Sequence, residues 1–220
     1  MSATDVIGKD DLPAALDGLP DWRYRLGALV AAFKLPTAAA AVALVGEIGA
    51  RAEAANHHPD VDWRYDALFI RLTSHDAGSE VTARDADLAR AISAAAAAAG
   101  ATAEPALHRS YGIAIDTPDP AGISGVWATA LGYRRGRSGD LEDPFGRGPS
   151  LRFRQTGTPD PNRFHLDAHV SLSERDAALG ALDRENATLD DSAAPDRVVV
   201  TDAQGNRLCI CTEAGHGPGA

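Results

Sequence analysis

The sequence predicts an α+β fold in two halves, and three observations lead to this prediction. An alanine-rich helical run ends at Gly100, and Pro105 and a new strand pattern near Arg109 follow it, which marks a boundary. Before the boundary, two helical patterns flank one strand with alternating apolar residues. After it, the order strand, helix, strands occurs twice. We therefore expect an N-terminal antiparallel sheet with helices on one face, and C-terminal tandem βαβββ modules.

The composition is that of a globular protein and argues against two classes of partner. Of the 220 residues, 45% are hydrophobic and 24% are charged, and the formal net charge is -10. Binding to phosphate backbones or to anionic lipid needs a basic face, so we expect neither nucleic acid nor a membrane as partner. The N-terminal segment has no basic region followed by an apolar run. We therefore expect a cytoplasmic protein without a signal peptide or a transmembrane helix.

The N-terminal half has three predicted elements after a short lead-in around LPDWRYRLG. A helix is expected over residues 36–56, with an apolar stripe of Leu44, Val45 and Ile48. A strand is expected over residues 65–75, with an apolar face of Leu68, Ile70 and Leu72. A second helix begins at TARD and carries apolar residues towards the core at Leu88 and Ile92.

The C-terminal half has two predicted helices between predicted strands. The helices are PAGISGVWATALG and SERDAALGALDREN, and the strands are SYGIAID, PSLRFRQTG, RFHLDAHVS and a hairpin with its turn at Gly205 and Asn206. The only two cysteines, Cys209 and Cys211, share one face of the last strand. This spacing is unsuited to a structural disulfide, so we expect both thiols to be reduced.

Three histidines within nineteen residues form a candidate site. His57 and His58 are adjacent at the predicted helix end, and Pro59 stops the helix, so that both imidazoles are able to turn towards one pocket. His75 closes the following strand on its less apolar face. The sequence HHP lacks the usual zinc spacings, although histidines from separate elements also bind zinc, and surface histidines are a third interpretation. We favour metal-free acid/base chemistry, because imidazoles titrate near neutral pH.

Two carboxylates accompany the histidines. Glu53 precedes His57 by one helical turn, so its carboxylate is able to reach that imidazole or a bound ligand, unless it is merely a solvated side chain of the helix. Asp85 follows Thr82 by three residues, and this spacing predicts a capping box at the start of the second helix.

The pattern Glu53-x3-His57-His58-Pro59-x5-Tyr65-x9-His75-x9-Asp85 resembles the signature of the pterin-4a-carbinolamine dehydratase family. Trp22 and the LARAI segment after Asp85 also agree with that pattern, and the resemblance covers a domain of residues 1–102. It implies a dehydratase that removes water from a 4a-hydroxytetrahydropterin to give the quinonoid dihydropterin. It also implies a homo-oligomer that needs neither a metal nor an organic cofactor.

The same resemblance implies the roles of the site residues. The catalytic residues are His57, His58 and His75, with His57 and His75 as the acid/base pair and His58 in support. The residues that hold the pterin are Glu53, Thr73, Ser74 and Asp85. Which histidine is the acid and which the base stays open, because coupled imidazoles share their titration.

In the C-terminal half, DTPDPAGISGVWATALGYR, NRFHLDAHVS and DAQGNRLCIC resemble the glyoxalase-like branch of the vicinal oxygen chelate superfamily, over residues 106–213. Such proteins often bind a divalent metal through residues spread over four strands, but Leu208 and Cys209 stand here where complete sets have a glutamate. His165, Asp167 and His169 share one strand face. Alternate residues of a strand lie about 7 Å apart, so we do not expect all three to bind one ion.

The sequence leaves two alternatives to the dehydratase open. In the first, the protein is a non-enzymatic module that binds a pterin or another small molecule and dimerises. In the second, the C-terminal half is a metal-dependent enzyme of the vicinal oxygen chelate type.

Overall fold

A computed structural model describes residues 6–136, 139–158, 164–184, 187–201 and 207–215. The chain divides into two compact units, Met1–His108 and Arg109–Ala220. The domain limits expected from the sequence, 1–102 and 106–213, stay predictions. In the described part of the chain, no helix combines the length and the apolar character that crossing a membrane requires.

From residue 6 onwards, the first unit contains three α-helices and five strands. In chain order these are α1 (Leu12–Asp17), β1 (Arg23–Arg25), β2 (Ala28–Lys34), α2 (Ala38–Ala55), β3 (Asp60–Arg64), β4 (Ala67–Leu72), α3 (Ala83–Ala98) and β5 (Thr102–Ala103). The sheet is antiparallel throughout, with the order β1-β2-β4-β3, and β5 also pairs with β2.

The core of the first unit lies between this sheet and the helices α2 and α3. On β4, the apolar face is fully buried, as the alternation of Leu68, Ile70 and Leu72 predicts. Leu44 and Ile48 from α2 belong to the same core as Leu88 and Ile92 from α3. The predicted antiparallel sheet with helices on one face is therefore confirmed.

Three details of the first unit differ from the prediction. The expected lead-in is a hairpin of β1 and β2, and β2 is a central strand of the sheet. No element was predicted over the segment of β3, which pairs with β4. The strand expected over residues 65–75 is shorter at both ends, because Tyr65 lies in a turn with φ 55° and His75 begins a 3-10 turn, His75–Ala77.

The second unit contains two βαβββ modules. The first module is β6 (Ser110–Thr117), α4 (Pro120–Leu131), β7 (Arg134–Arg135), β8 (Leu141–Glu142) and β9 (Ser150–Gln155). The second module is β10 (Phe164–His169), α5 (Leu172–Arg184), β11 (Thr188–Asp190), β12 (Arg197–Thr201) and β13 (Arg207–Cys211). The predicted tandem order is confirmed, and the predicted turn at Gly205 and Asn206 lies outside the described residues.

The two modules form one sheet of eight strands with the order β11-β12-β13-β10-β6-β9-β8-β7. In each module the first strand pairs in parallel with the last, and β6 and β10 join the modules as an antiparallel pair. Each module has its own small apolar cluster, around Ile115 and Leu151 in the first and around Val200 and Ile210 in the second. Alternation along β10 therefore directs His165, Asp167 and His169 to the face opposite these clusters.

Candidate functional site

The end of α2 positions the two adjacent histidines. Asn56 adopts a left-handed conformation with φ 46°, and the amide of His57 donates to the carbonyl of Ala52 at 3.0 Å, while the amide of Asn56 donates to that of Glu53 at 3.1 Å. These two bonds form a Schellman motif, which ends a helix and turns the chain away from its axis. His57 becomes buried as a result, whereas His58 stays exposed.

Asp85 makes more hydrogen bonds than any other side chain of the site. It is fully buried at the start of α3, where it completes the predicted capping box with Thr82. Its Oδ2 accepts from the amide of Thr82 at 2.7 Å, from the Thr82 hydroxyl at 3.0 Å and from the Ser74 hydroxyl at 2.8 Å. All three bonds use Oδ2 as an acceptor, which leaves Oδ1 for a further partner.

The second oxygen of Asp85 contacts the buried imidazole. Asp85 Oδ1 lies 2.7 Å from Nε2 of His57, and the His57 side chain is only 8% exposed. Because a carboxylate only accepts, His57 Nε2 carries the proton of this bond. In the neutral ring, Nδ1 then has the lone pair, and among the described residues it has no hydrogen-bond partner.

Glu53 forms a different pair from the one expected. Its Oε1 lies 3.0 Å from Nε2 of His58, and not against His57. Both side chains are exposed, 81% for Glu53 and 56% for His58. The chain reversal at Asn56 explains this, because it directs His57 inwards and leaves His58 on the side of Glu53.

The segment between β4 and α3 carries the other predicted residues. The hydroxyl of Thr73 donates to the carbonyl of Gly27 at 3.2 Å, and Ser74 is fully buried. His75 is exposed in the 3-10 turn that follows. Next to it, Asp76 pairs with Arg84 of α3 at 2.6 Å, and this bond lowers the pKa of Asp76. The pair connects the His75 turn to the first turn of α3.

The structure therefore sorts the predicted residues into two groups. His57, Ser74 and Asp85 form one buried hydrogen-bonded group, whereas His58, Glu53 and His75 are exposed. Sequence reasoning gave Thr82 a capping role alone and missed that its hydroxyl also contacts the Ser74 hydroxyl, 2.8 Å away. No spacing rule indicates that contact, because it depends on how the turn after β4 folds back on α3.

A second cluster of polar side chains lies in the second unit. His165 and Asp167 come from β10 and Cys209 comes from β13, and one ligand atom of each lies within 4.8 Å of the others. Asp167 and Cys209 are direct neighbours across the parallel strand pair. The pKa of His165 is raised to about 9, mainly by Asp167 and then by Cys209. Imidazole, carboxylate and thiolate are a ligand set that suits a divalent metal.

Charged side chains adjoin this cluster. Arg154 binds both oxygens of Asp116, at 2.8 and 3.0 Å, and its Nη2 lies 3.4 Å from Nδ1 of His165. His169, which was expected to share a face with His165 and Asp167, is not part of the three-residue cluster. The neighbouring strand supplies the third member instead, Cys209.

Comparison with known proteins gives a separate result for each unit. The profile of the family described as pterin 4 alpha carbinolamine dehydratase matches residues 6–95, and the profile of a glyoxalase-like domain matches residues 112–211. A protein of Chloroflexus aurantiacus, provisionally named pterin-4-alpha-carbinolamine dehydratase, is 45% identical over 86 residues, which are 39% of this chain and 91% of that protein. A protein of Nocardia farcinica with the same provisional name is 37% identical over 89 residues, which are 40% of this chain and 93% of the relative.

Two solved structures are also similar. A transcriptional coactivator/pterin dehydratase from Brucella melitensis is 24% identical, covers 42% of this chain and 99% of its own, and has a TM-score of 0.41. A glyoxalase/bleomycin resistance protein/dioxygenase superfamily member from Vibrio splendidus is 8% identical, covers 48% of this chain and 99% of its own, and has a TM-score of 0.33.

The relatives from Chloroflexus and Nocardia match the first unit over almost their whole length, and that unit contains every residue of the histidine signature. The chain belongs, through its first unit, to the pterin-4a-carbinolamine dehydratase family, and its second unit carries a glyoxalase-like domain.

Proposed function

We propose that the first unit dehydrates a 4a-hydroxytetrahydropterin to the quinonoid dihydropterin and water, by acid/base catalysis without a metal. The observation that carries the proposal is the bond between the buried Asp85 carboxylate and Nε2 of His57. It leaves a lone pair on His57 Nδ1 and so gives the site a base with a defined tautomer. The family membership of the unit supports the choice of substrate.

The reaction needs one proton donor and one proton acceptor. The bond between C4a and the hydroxyl oxygen breaks, and the hydroxyl leaves as water after it takes a proton from the acid. The base takes the proton of a ring N–H, and that electron pair forms the new double bond. We assign the base to His57 Nδ1 and the acid to His75, whose imidazole is exposed and able to meet a substrate directly.

The remaining predicted residues hold the substrate in this proposal. The pterin ring is flat and has a polar edge of donors and acceptors, which calls for hydrogen bonds at fixed positions. The exposed pair of Glu53 and His58 offers both kinds of group. The backbone around Thr73 and Ser74, which leads into the His75 turn, is the second contact with the pterin in this proposal. Asp85 was expected to bind the pterin, but its burial supports a positioning role through His57 instead.

The unit self-associates in this proposal, as the family resemblance implies. Within the described residues, β3 is the last strand of the sheet, and its Trp63 is 51% exposed. An edge strand with an exposed aromatic residue offers backbone groups and apolar surface to a second copy. Light scattering of the purified protein measures this directly, and a monomer at micromolar concentration would remove self-association from the proposal.

The test is the rate of dehydration of a synthetic 4a-hydroxytetrahydropterin by chelator-treated protein. We expect acceleration over the uncatalysed reaction, and a loss of about 100-fold or more in kcat for His57→Ala and for His75→Ala. His169→Ala is the matched control, because it removes an imidazole from the second unit and should leave the rate unchanged. Folded His57→Ala and His75→Ala variants that keep the full rate would overturn the assignment of these residues.

A further inference from the structure

We propose that His165, Asp167 and Cys209 form a zinc-binding site in the second unit, separate from the dehydration site. This inference goes beyond the proposed dehydratase, because no step of that reaction involves the second unit. It concerns one cluster, defined by its three side chains on β10 and β13.

The first observation is that the cluster is compact before any ion is bound. One ligand atom from each residue lies within 4.8 Å of the other two. A tetrahedral zinc site brings its ligand atoms somewhat closer together, since zinc lies about 2.0 Å from nitrogen or oxygen and about 2.3 Å from sulfur.

The second observation is a buried nitrogen that is directed into the cluster and makes no well-formed hydrogen bond there. The His165 side chain is 8% exposed, and its Nε2 is fully buried without a hydrogen-bond partner among the described residues. The nearest carboxylate oxygen, Asp167 Oδ1, lies 3.4 Å away, a separation at which a hydrogen bond is weak. A buried polar atom without a partner costs free energy, and coordination of an ion would remove that cost.

The position of the ligands also explains why a single strand is insufficient. His165, Asp167 and His169 follow one another along β10 and are too far apart to share an ion. Cys209 lies opposite Asp167 on the adjacent β13, so the third ligand comes from across the strand pair. The site thus draws on two neighbouring strands, not on residues spread over four strands.

The charges of the surroundings favour a divalent cation. Zinc together with the Asp167 carboxylate and a Cys209 thiolate forms a neutral group, and Asp116 already offsets the charge of Arg154. Three protein ligands leave a fourth position for water or a small molecule, which is the arrangement of reactive zinc sites and not of structural ones.

Arg154 adjusts when zinc binds. Zinc on Nε2 requires the proton of a neutral imidazole to be on Nδ1, and the guanidinium that faces Nδ1 at 3.4 Å is also a donor. That contact is long, and Arg154 keeps two shorter bonds to Asp116. Moving Arg154 away from His165 therefore costs little free energy. Replacing Arg154 by methionine should strengthen zinc binding.

The experiment uses the full chain without an affinity tag, freed of metal by a chelator. Zinc is titrated against a chromophoric chelator, and cobalt(II) is added separately as a spectroscopic probe. We expect one zinc ion per chain, and a cobalt spectrum with a thiolate charge-transfer band. We expect Cys209→Ser to lose that band and to bind zinc at least about 100-fold more weakly. Replacing a residue that only supports a ligand costs about 10- to 100-fold in metal affinity, so a larger loss identifies Cys209 as a ligand.

The matched control is Cys211→Ser, because Cys211 lies on the same strand face but outside the cluster. It should keep the cobalt band and the zinc affinity. Equal zinc binding by both serine variants, or a wild-type cobalt complex without the thiolate band, would overturn the proposal, and the wild-type spectrum decides this even if a variant fails to fold. Zinc binding that is lost in His58→Ala would assign the ion to the first unit and would also overturn the proposal.

Dehydratase activity should be the same with and without zinc, so failure of this site is distinguishable from failure of the proposed function.

Discussion

At the scale of single residues, Asp85 connects the stability of the first unit with its chemistry. One carboxylate oxygen binds three donors that organise the start of α3, and the other holds His57. A side chain with both functions has little freedom to move. The tautomer of His57 therefore depends on Asp85, which lies 28 residues further along the chain in the first turn of α3.

Replacing Asp85 by asparagine keeps the shape of the side chain but removes one of its two acceptor oxygens. The amide nitrogen of asparagine only donates, so the donors that face this nitrogen lose their acceptor. We expect the free energy of unfolding to fall by about 1 to 3 kcal/mol, and kcat for dehydration to fall by about 10-fold or more, because His57 loses its defined tautomer. Urea unfolding and initial rates measure the two effects.

The control for Asp85→Asn is Thr82→Val, which removes a hydroxyl from the same helix cap but keeps the bond between Asp85 and His57. It should lower stability by about 1 kcal/mol and leave kcat nearly unchanged. A parallel loss of kcat in both variants would show that the rate follows stability alone and would contradict a positioning role for Asp85.

His108 gives the first unit a dependence of stability on pH. Burial, followed by the positive charge of Arg25, lowers the pKa of His108 to about 4, and Nδ1 is buried without a partner among the described residues. In the unfolded chain the pKa is about 6.5. As the pH falls from about 6.5 to about 4, the unfolded state binds a proton that the folded state does not bind, so stability decreases.

We therefore expect His108 to contribute a loss of at most about 3 kcal/mol in the free energy of unfolding over that pH range. His108→Gln, which does not titrate, should be less sensitive to pH than the wild type by that amount. Urea unfolding at a series of pH values measures the difference. Parallel curves for the two proteins would contradict the lowered pKa.

At the scale of elements, helices with clear ends were predictable and strands without alternation were not. α2 and α3 begin at Thr37 and Thr82 as N-caps, and both carry an apolar stripe, so pattern and end signals agree. In β2, by contrast, every residue from Ala28 to Phe33 is buried, because both faces of this central strand are covered. A strand of that kind has no period of two, which explains why the sequence did not reveal it.

The strand β3 was not predicted for the opposite reason, its exposure. Four of its five residues are exposed, so neither an apolar face nor an apolar run marks the strand. For the site, the signature named candidate residues but did not indicate how they pair. The partner of Glu53 depends on the left-handed turn at Asn56, and the partners of Asp85 depend on the folding of the turn after β4.

The left-handed turn makes Asn56 a sensitive position. Asparagine and glycine adopt φ 46° at a low cost, whereas a residue with an ordinary side chain pays about 1 to 2 kcal/mol. Asn56→Ala should therefore lower the free energy of unfolding by about 1 kcal/mol, and Asn56→Gly should be neutral or stabilising. Thermal unfolding of both variants tests this, and equal losses would mean that the turn does not control the end of α2.

At the scale of the whole molecule, the residues proposed for dehydration all lie in the first unit, and the proposed zinc ligands all lie in the second. Each unit has its own sheet and its own core. We therefore expect variants of one site to leave the chemistry of the other unchanged.

The limit of the first unit is also testable. A fragment of residues 1–102 ends inside β5, which pairs with β2 at Phe33 and Ala103 and is followed by the contact between His108 and Phe69. A fragment of residues 1–108 keeps these contacts. We expect it to be more stable than the shorter fragment by at least about 2 kcal/mol and to keep the dehydratase activity. Equal stability would place the boundary where the sequence predicts it.

The histidine site of the first unit is proposed to catalyse dehydration without a metal. The most direct measurement is the rate at which chelator-treated wild-type protein converts a 4a-hydroxytetrahydropterin to the quinonoid dihydropterin, compared with buffer alone. Acceleration that persists in excess chelator is the predicted result. A rate equal to that in buffer, for protein that is folded and binds the pterin, would contradict the claim and leave a binding function for the first unit.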